Sequence, residues 1–172
     1  MNGLTICAAN YLSFAKTLAN SFLKFHPKSK FYLLLVDGDV SEVTHNLGPE
    51  ITVIKPSDLD LDPDVFMRMA IYYDVTELST ALKPLGLKYL LDTGSEIAIY
   101  LDPDIEVFSE LVEIPKHLES ANIALTPHSL HGFPDDELRP SARDIMASGT
   151  FNLGFIAIKN STQSYEFLSW WN

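Results

Sequence analysis

The chain has 172 residues, of which 47% are apolar and 20% are charged, and its net charge at neutral pH is −11. The apolar fraction is typical of a globular protein and excludes a disordered chain. The acidic balance argues against a nucleic-acid-binding surface, which needs clustered Lys and Arg. The single cysteine, Cys7, excludes an internal disulfide framework and a cysteine-based zinc site. With no signal-peptide pattern and no apolar run of roughly 18 residues, we expect a cytoplasmic protein.

The first forty residues predict a strand, a helix and a second strand. Residues 4–9 form a short apolar run. Apolar side chains then recur at helical spacing, at Phe14, Leu18, Phe22 and Phe25. Pro27 ends this pattern, and residues 31–36 form a second apolar run. A strand, helix and strand with short connections are typical of a βαβ unit.

Polar side chains follow both predicted strands, at the sheet edge where open α/β proteins bind ligands. Asn10 and Tyr11 follow the first strand, and Asp37 and Asp39 follow the second. These groups suit a base and a ribose, although Asp37 and Asp39 are equally typical of ordinary turns. The chain lacks Gly-x-Gly-x-x-Gly, so a dinucleotide site has no support.

The middle of the chain predicts a short strand and two helical segments. These segments are residues 51–54 for the strand and residues 65–73 and 76–91 for the helices. Pro84 interrupts the second helical pattern and is expected to kink or restart the helix. Lys83 lies at this break, where it would neutralise phosphate charge as a point cation. A surface position is the alternative for Lys83 and for Lys88.

Two carboxylates follow an unbroken apolar run at residues 97–101, which predicts a strand buried on both faces. Asp102 and Asp104 flank Pro103, where the strand stops pairing. Residues 105–108 alternate in polarity and predict a further strand. Two acids this close repel each other unless a cation or a proton intervenes, and a hard divalent cation takes one or two carboxylates with phosphate oxygens. The alternative is an ordinary Asp-Pro-Asp turn.

The last third of the chain predicts a short helix, two buried strands and a terminal helix. The segments are residues 111–118, 122–126, 155–158 and 164–172. A polar loop between the two strands contains His128, His131, Asp135, Asp136 and Glu137. These residues lack the fixed spacing of a zinc site.

An asparagine and a glycine precede the last predicted strand. Asn152 supplies both a donor and an acceptor, as sugar hydroxyls require, and Gly154 permits close approach of the backbone.

In combination, these segments resemble the GT-A type nucleotide-sugar glycosyltransferases, in particular the family 8 group that includes glycogenin and bacterial galactosyltransferases. The matching segments are Thr5 to Tyr11, Thr80 to Lys83, the Asp-x-Asp motif in Tyr100-Leu101-Asp102-Pro103-Asp104, and Phe151-Asn152-Leu153-Gly154. The resemblance implies an α/β fold, with a Rossmann-like, mixed but mainly parallel sheet flanked by helices. We expect residues 1–172 to form a single nucleotide-sugar-binding domain, truncated at its C-terminus.

The resemblance also implies roles for individual residues. Asp102 and Asp104 would bind Mn²⁺ or Mg²⁺ at the diphosphate of the donor. Ala8, Ala9, Asn10 and Tyr11 would hold the nucleoside, and Lys83 would contact phosphate or sugar. Asp37 is expected at the same nucleoside site from its position after the second strand. Asp104 and Asn152 would act on the donor sugar. The implied reaction transfers a sugar from a nucleotide donor, UDP-linked in our reading, to a saccharide or lipid-linked acceptor with retention of configuration.

The sequence departs from the family pattern at the metal site. The family adds a late histidine to the metal ligands, and no histidine follows Asn152. In our interpretation the chain is a fragment whose missing part carries that ligand and contacts the inner face of a membrane. The alternative is a non-catalytic nucleotide-sugar or partner-binding domain. A nucleotidyltransferase fits less well, since Asn10-Tyr11-Leu12 replaces its Gly-rich loop.

Overall fold

A mixed six-stranded sheet forms the centre of the protein. The computed structural model describes residues 1–134 and 138–172, with the backbone but not the side chains of Glu42, His45 and Asn46. The strands of the described residues are β1 (Asn2–Cys7), β2 (Phe31–Leu35), β3 (Ile51–Ile54), β4 (Ile97–Leu101), β5 (Ile123–Pro127) and β6 (Phe151–Lys159). Their order in the sheet is β3-β2-β1-β4-β6-β5. Strands β1 to β4 pair in parallel, whereas β6 runs antiparallel to both β4 and β5.

Helices cover both faces of this sheet. In the described residues they are α1 (Leu12–Phe25), α2 (Val40–Asn46), α3 (Pro63–Tyr72), α4 (Val75–Ala81), α5 (Lys83–Asp92), α6 (Glu113–His117), α7 (Ala142–Ser148) and α8 (Thr162–Trp171). Because side chains alternate along a strand, β1 contributes to two cores. Leu4 and Ile6 pack with residues of α4, α5 and α8, while Cys7 packs with residues of α1. The predicted α/β class with a mixed, mainly parallel sheet is confirmed.

The parallel pairing of β1 with β4 determines where the polar strand ends meet. Leu4 lies opposite Tyr100 in this pairing, and β1 ends at Cys7 while β4 ends at Leu101. Residues 8–11 and Asp102 therefore leave the sheet at the same edge.

The break in the helical pattern at residues 76–91 lies where the sequence predicts it. Helix α4 ends at Ala81, and α5 begins at Lys83 with Pro84 in its first turn. A proline there loses no hydrogen bond, because the first backbone N–H groups of a helix have no partner inside it. The restart places Lys83 at the N-terminal end of α5. None of the described helices is both long and apolar enough to cross a bilayer.

The predicted strand at residues 105–108 is wrong. These residues have no regular secondary structure, and the Val107 backbone bonds to a side chain of α1 and not to a neighbouring strand. The Val107 N–H donates to Oγ of Ser21 at 3.0 Å, and the Leu111 N–H donates to Nε2 of His26 at 3.2 Å. The alternating pattern reflects burial of Val107 against α1.

The structure differs from the sequence prediction in three further ways, at strands β5 and β6 and at two short helices. Strand β5 is half-buried and not fully buried, because it is the edge strand of the antiparallel part. Strand β6 begins at Phe151, so Asn152 lies within it and not before it. The short helices α2 and α7 were not predicted, although Asp39 and Ser141 cap their N-termini.

Candidate active site

A cleft of about 290 Å³ opens at the edge of the sheet where β1 and β4 end. Residues from the ends of these two strands and from α4 and α5 form its wall. The residues that line it are Ile6, Cys7, Ala8, Asn10, Tyr11, Val75, Thr76, Ser79, Thr80, Lys83, Tyr100, Asp102, Pro103 and Asp104. The structure thus brings together most of the residues that the sequence predicts as a donor site.

Asp102 is held in place by backbone and side-chain contacts. Its N–H donates to the carbonyl oxygen of Gly154 at 2.8 Å, which ties the end of β4 to β6. Its carboxylate oxygen Oδ1 accepts a hydrogen bond from the Tyr100 hydroxyl at 2.6 Å and lies 3.4 Å from Nζ of Lys83. Burial and the negative charge of Asp102 raise the pKa of Tyr100 well above its usual value, so the hydroxyl remains a donor.

Lys83 is buried, with only 5% of its surface exposed. Its ammonium group donates to the carbonyl oxygen of Leu153 at 2.9 Å and lies 4.3 Å from the centre of the Tyr100 ring. Burial lowers the pKa of Lys83, and the nearby Asp102 opposes this effect. The lysine therefore places a positive charge in the wall of the cleft, not on the surface as its alternative interpretation required.

Asn152 and Gly154 lie beside Asp102 at the start of β6. The side-chain oxygen of Asn152 accepts a hydrogen bond from the Gly154 N–H at 2.8 Å. A Cβ atom at Gly154 would lie 2.8 Å from Oδ2 of Asp102 and 2.9 Å from Oδ1 of Asn152. Both oxygens therefore pack against Gly154, at a place where a larger residue would displace them. Asn152 itself is exposed and does not line the cleft, so its predicted contact with the donor sugar stays a prediction.

The turn after β1 carries the residues predicted to hold the nucleoside. Ala8, Asn10 and Tyr11 line the cleft, and the Tyr11 side chain is 45% exposed with its ring 5.2 Å from that of Phe14. Asp37 lies behind this turn, where its Oδ1 accepts the Ala9 N–H. Neither Ala9 nor Asp37 lines the cleft. In this structure Asp37 supports the turn, and a contact with ribose stays a prediction.

The remaining polar candidates lie away from the cleft. Asp39 caps α2 by accepting the Ser41 N–H, as the turn interpretation predicted. Lys88 forms surface ion pairs with two aspartates of its neighbourhood. His128 is exposed, with Nδ1 2.8 Å from the carbonyl oxygen of Gly149. The predicted polar-loop residues Asp135, Asp136 and Glu137 lie outside the described residues.

Sequence reasoning missed two contributions to the cleft. Thr76 and Ser79 of α4 line its wall beside Thr80, which belongs to the matching segment Thr80 to Lys83. Their spacing of three and four residues puts them on one helix face, and that spacing could have identified them. Tyr100 was noted only as part of the Asp-x-Asp segment.

The carboxylates fit a hard divalent cation. Asp102 and Asp104 both line the cleft. Mg²⁺ and similar ions are bound through one or two carboxylates, with phosphate oxygens and waters at the other positions. Residues 1–134 and 138–172 contain no group of three or more His, Cys, Asp or Glu placed to hold a metal.

No protein-family model and no curated protein matches this chain. Solved structures do match. The galactosyltransferase LgtC, in complex with donor and acceptor sugar analogs, matches over 99% of this chain with a TM-score of 0.59 and 16% identity. The mannosyltransferase Ktr4p from S. cerevisiae matches over 98% with a TM-score of 0.58 and 9% identity. The glycosyltransferase GlyE from Streptococcus pneumoniae TIGR4 matches over 97% with a TM-score of 0.56 and 16% identity.

These similarities define the fold of the protein. It has the GT-A fold of nucleotide-sugar glycosyltransferases. The resemblance to family 8 in particular stays a prediction. The matches cover 63% of the LgtC chain, 59% of the Ktr4p chain and 36% of the GlyE chain, so this chain spans less than two thirds of their length.

Proposed function

We propose that this chain is the nucleotide-sugar-binding part of a metal-dependent glycosyltransferase. The observation that carries the proposal is the cleft at the ends of β1 and β4. It combines Asp102 and Asp104 with the turn that contains Asn10 and Tyr11 and with the positive charge of Lys83. The proposal rests on this geometry, because the structural similarity alone defines only the fold.

The groups in and beside the cleft would each bind a different part of the donor. The exposed ring of Tyr11 would stack on the base, and Ala8 and Asn10 would border the nucleoside. Asp102 and Asp104 would hold Mn²⁺ or Mg²⁺ at the diphosphate, and Lys83 would add positive charge near phosphate or sugar. Asn152 would bind hydroxyl groups of the sugar through its amide.

The reaction would break the bond between the anomeric carbon and the diphosphate. When bound, the cation would supply Lewis-acid stabilisation of the charge that develops on the departing nucleoside diphosphate. The anomeric carbon becomes oxocarbenium-like as in glycoside hydrolysis, and an acceptor hydroxyl attacks it. Asp104 and Asn152 would orient the donor sugar for this attack. A UDP donor, a saccharide or lipid-linked acceptor, and retention follow the family resemblance and belong to the proposal.

The proposal is tested by isothermal titration of UDP against the protein, with Mn²⁺ and separately with a chelator. We expect Mn²⁺-dependent binding that Asp102→Asn and Asp104→Asn each weaken about tenfold or more, because a lost hydrogen bond or contact to a charged group costs about 1.5 to 3 kcal/mol. Asp92→Asn is the matched control. It removes a carboxylate that also contacts a lysine and a tyrosine, but on the surface at the far end of α5.

The outcomes distinguish the candidate functions. Loss of binding in both cleft variants but not in Asp92→Asn supports the donor site. Release of UDP from a UDP-sugar would then support an enzyme, whereas binding without turnover would support the non-catalytic alternative. If neither UDP nor GDP binds with Mn²⁺, the carboxylates form only a turn and the proposal is wrong.

A further inference from the structure

Asp102 is held through only one of its two carboxylate oxygens. We propose that Tyr100 is a positioning residue which, together with Lys83, occupies Oδ1 of Asp102 and so directs Oδ2 toward the bound cation. This inference rests on the proposed function and adds a residue to it. Tyr100 does not touch the donor in this scheme and acts through Asp102.

The strand explains why this tyrosine can reach the aspartate. Residues two apart on a strand project from the same face, and Tyr100 and Asp102 have this spacing at the end of β4. The Tyr100 backbone is paired on both sides, with Leu4 in β1 and with Ile156 in β6. The side chain is only 1% exposed. Because the ring is buried and its strand is paired on both sides, the position of the Tyr100 hydroxyl is fixed.

The two donors on Oδ1 differ in strength. The Tyr100 hydroxyl approaches to 2.6 Å, which is typical of a short hydrogen bond to a carboxylate. The Lys83 ammonium lies at 3.4 Å and also donates to the Leu153 carbonyl oxygen at 2.9 Å. The tyrosine therefore provides the closer and better defined contact, while the lysine supplies the charge.

The second oxygen is left for another partner. Among the described residues, the side-chain donors that bond to Asp102 both bond to Oδ1, and none makes a hydrogen bond to Oδ2. A Cβ at Gly154 would lie 2.8 Å from this oxygen, so only glycine leaves Oδ2 room at its present position. The carboxylate is thus oriented before any ligand arrives, which lowers the cost of ordering it on binding.

The test compares Tyr100→Phe with the wild-type chain by titration of UDP in Mn²⁺ and in chelator. Phenylalanine keeps the ring in the core and removes only the hydroxyl. We expect the dissociation constant in Mn²⁺ to rise about tenfold, since a misplaced ligand oxygen affects only the cation-dependent part of binding. The dissociation constant in chelator should not change. A loss of general stability would instead raise both constants.

Tyr165→Phe is the matched control. The Tyr165 hydroxyl also donates to an aspartate, Asp92, at 3.0 Å, but this pair lies at the surface outside the cleft. We expect this variant to bind UDP as the wild type does under both conditions.

A second variant tests the orientation of Asp102 if Tyr100→Phe fails to fold. Gly154→Ala places a methyl group against Oδ2 and should also weaken only the Mn²⁺-dependent binding, by tenfold or more. Thermal melting of each variant shows whether it is folded.

Three results would overturn the inference. The first is a Tyr100→Phe protein with wild-type affinity in Mn²⁺, the second is an equal loss in Mn²⁺ and in chelator, and the third is a folded Gly154→Ala protein with unchanged affinity. In each case the wild-type chain still binds UDP, so the proposed function survives. If the wild type binds neither UDP nor GDP, the proposed function fails and this inference fails with it.

Discussion

Two clusters of lysine, aspartate and tyrosine lie at opposite ends of helix α5, and they differ in burial. The cleft cluster consists of Lys83, Asp102 and Tyr100. The surface cluster consists of Lys88, Asp92 and Tyr165. In both, the lysine and the tyrosine hydroxyl contact the same carboxylate. The two clusters share these three residue types, although Lys88 also forms an ion pair with Asp60.

The pKa values of the two lysines shift in opposite directions because one lysine is buried and the other is not. The Lys83 side chain is 6% exposed and that of Lys88 is 37% exposed. Burial lowers the pKa of Lys83, whereas the hydrogen bond to Asp92 raises the pKa of Lys88. A surface ion pair contributes little, but a buried charge is costly when its partner is removed. The comparison therefore predicts that removing Lys83 costs more stability than removing Lys88.

The largest expected effect separates the two lysines. Lys83→Met should lower the free energy of unfolding by about 2 kcal/mol, because it leaves Asp102 and the Leu153 carbonyl without their cation. This is below the 3 to 5 kcal/mol typical of a fully buried pair, since the Asp102 side chain is 39% exposed. Lys88→Met should cost less than about 0.5 kcal/mol. Urea unfolding at neutral pH measures both, and equal losses would contradict the comparison.

A smaller effect is expected at another buried titratable side chain, His26, which is 6% exposed. Burial lowers its pKa, with Glu110 opposing this shift, and Nε2 must stay unprotonated to accept the Leu111 N–H. As the pH falls below the unfolded pKa of about 6.5, the unfolded state binds the proton first, so stability decreases. We expect a loss of about 1 kcal/mol at low pH, the size of one hydrogen bond.

Thermal melting between pH 7.5 and pH 5.5 measures this dependence. His26→Gln should flatten it, and His117→Gln, which changes an exposed histidine of α6, should not. A pH dependence that persists in His26→Gln would assign the effect to other groups.

The smallest expected effect is an increase in the free energy of unfolding, whereas the two effects above are decreases. Thr5 is fully buried in β1, and its hydroxyl has no hydrogen-bond partner among the described residues. Thr5→Val keeps the β-branched shape and removes the unpaired polar atom, so it should raise the free energy of unfolding by about 0.5 kcal/mol. Thr52→Val, at an exposed position of β3, is the control and should have no measurable effect. Destabilisation by Thr5→Val in urea would show that the hydroxyl is satisfied in solution.

The parallel half of the sheet was predictable because its signals are local. Each of β1, β2 and β4 is a short apolar run that ends in polar residues, and Pro27 and Pro84 mark helix boundaries. The run at residues 105–108 alternates in polarity, as a half-buried strand would, but Val107 packs against α1. A period of two shows that alternate side chains are buried, but it does not say against what.

The antiparallel half was less predictable. Strand β5 is a sheet edge, so its side chains are half-buried and its apolar run alone could not show this. Helix α7 does carry a signal, since Ser141 and Asp144 form a capping box, but its short length gave no clear periodicity.

For the candidate site, the sequence by itself determined which residues could act. Asp102 and Asp104 follow a buried strand, Lys83 lies at a helix break, and Asn10 and Tyr11 follow β1. Each of these positions can be recognised from the residues next to it in the sequence. Their convergence on one sheet edge follows from the parallel βαβ rule once the strands are identified.

Only the tertiary structure decided which lysine is buried and which oxygen of Asp102 is free. Lys83 reaches Asp102 across 19 residues and the Leu153 carbonyl across 70. These contacts depend on how α5 packs against β4 and on the antiparallel pairing of β4 with β6. A sequence pattern records the burial of each residue along its own element, but it does not record the distance between elements far apart in the chain.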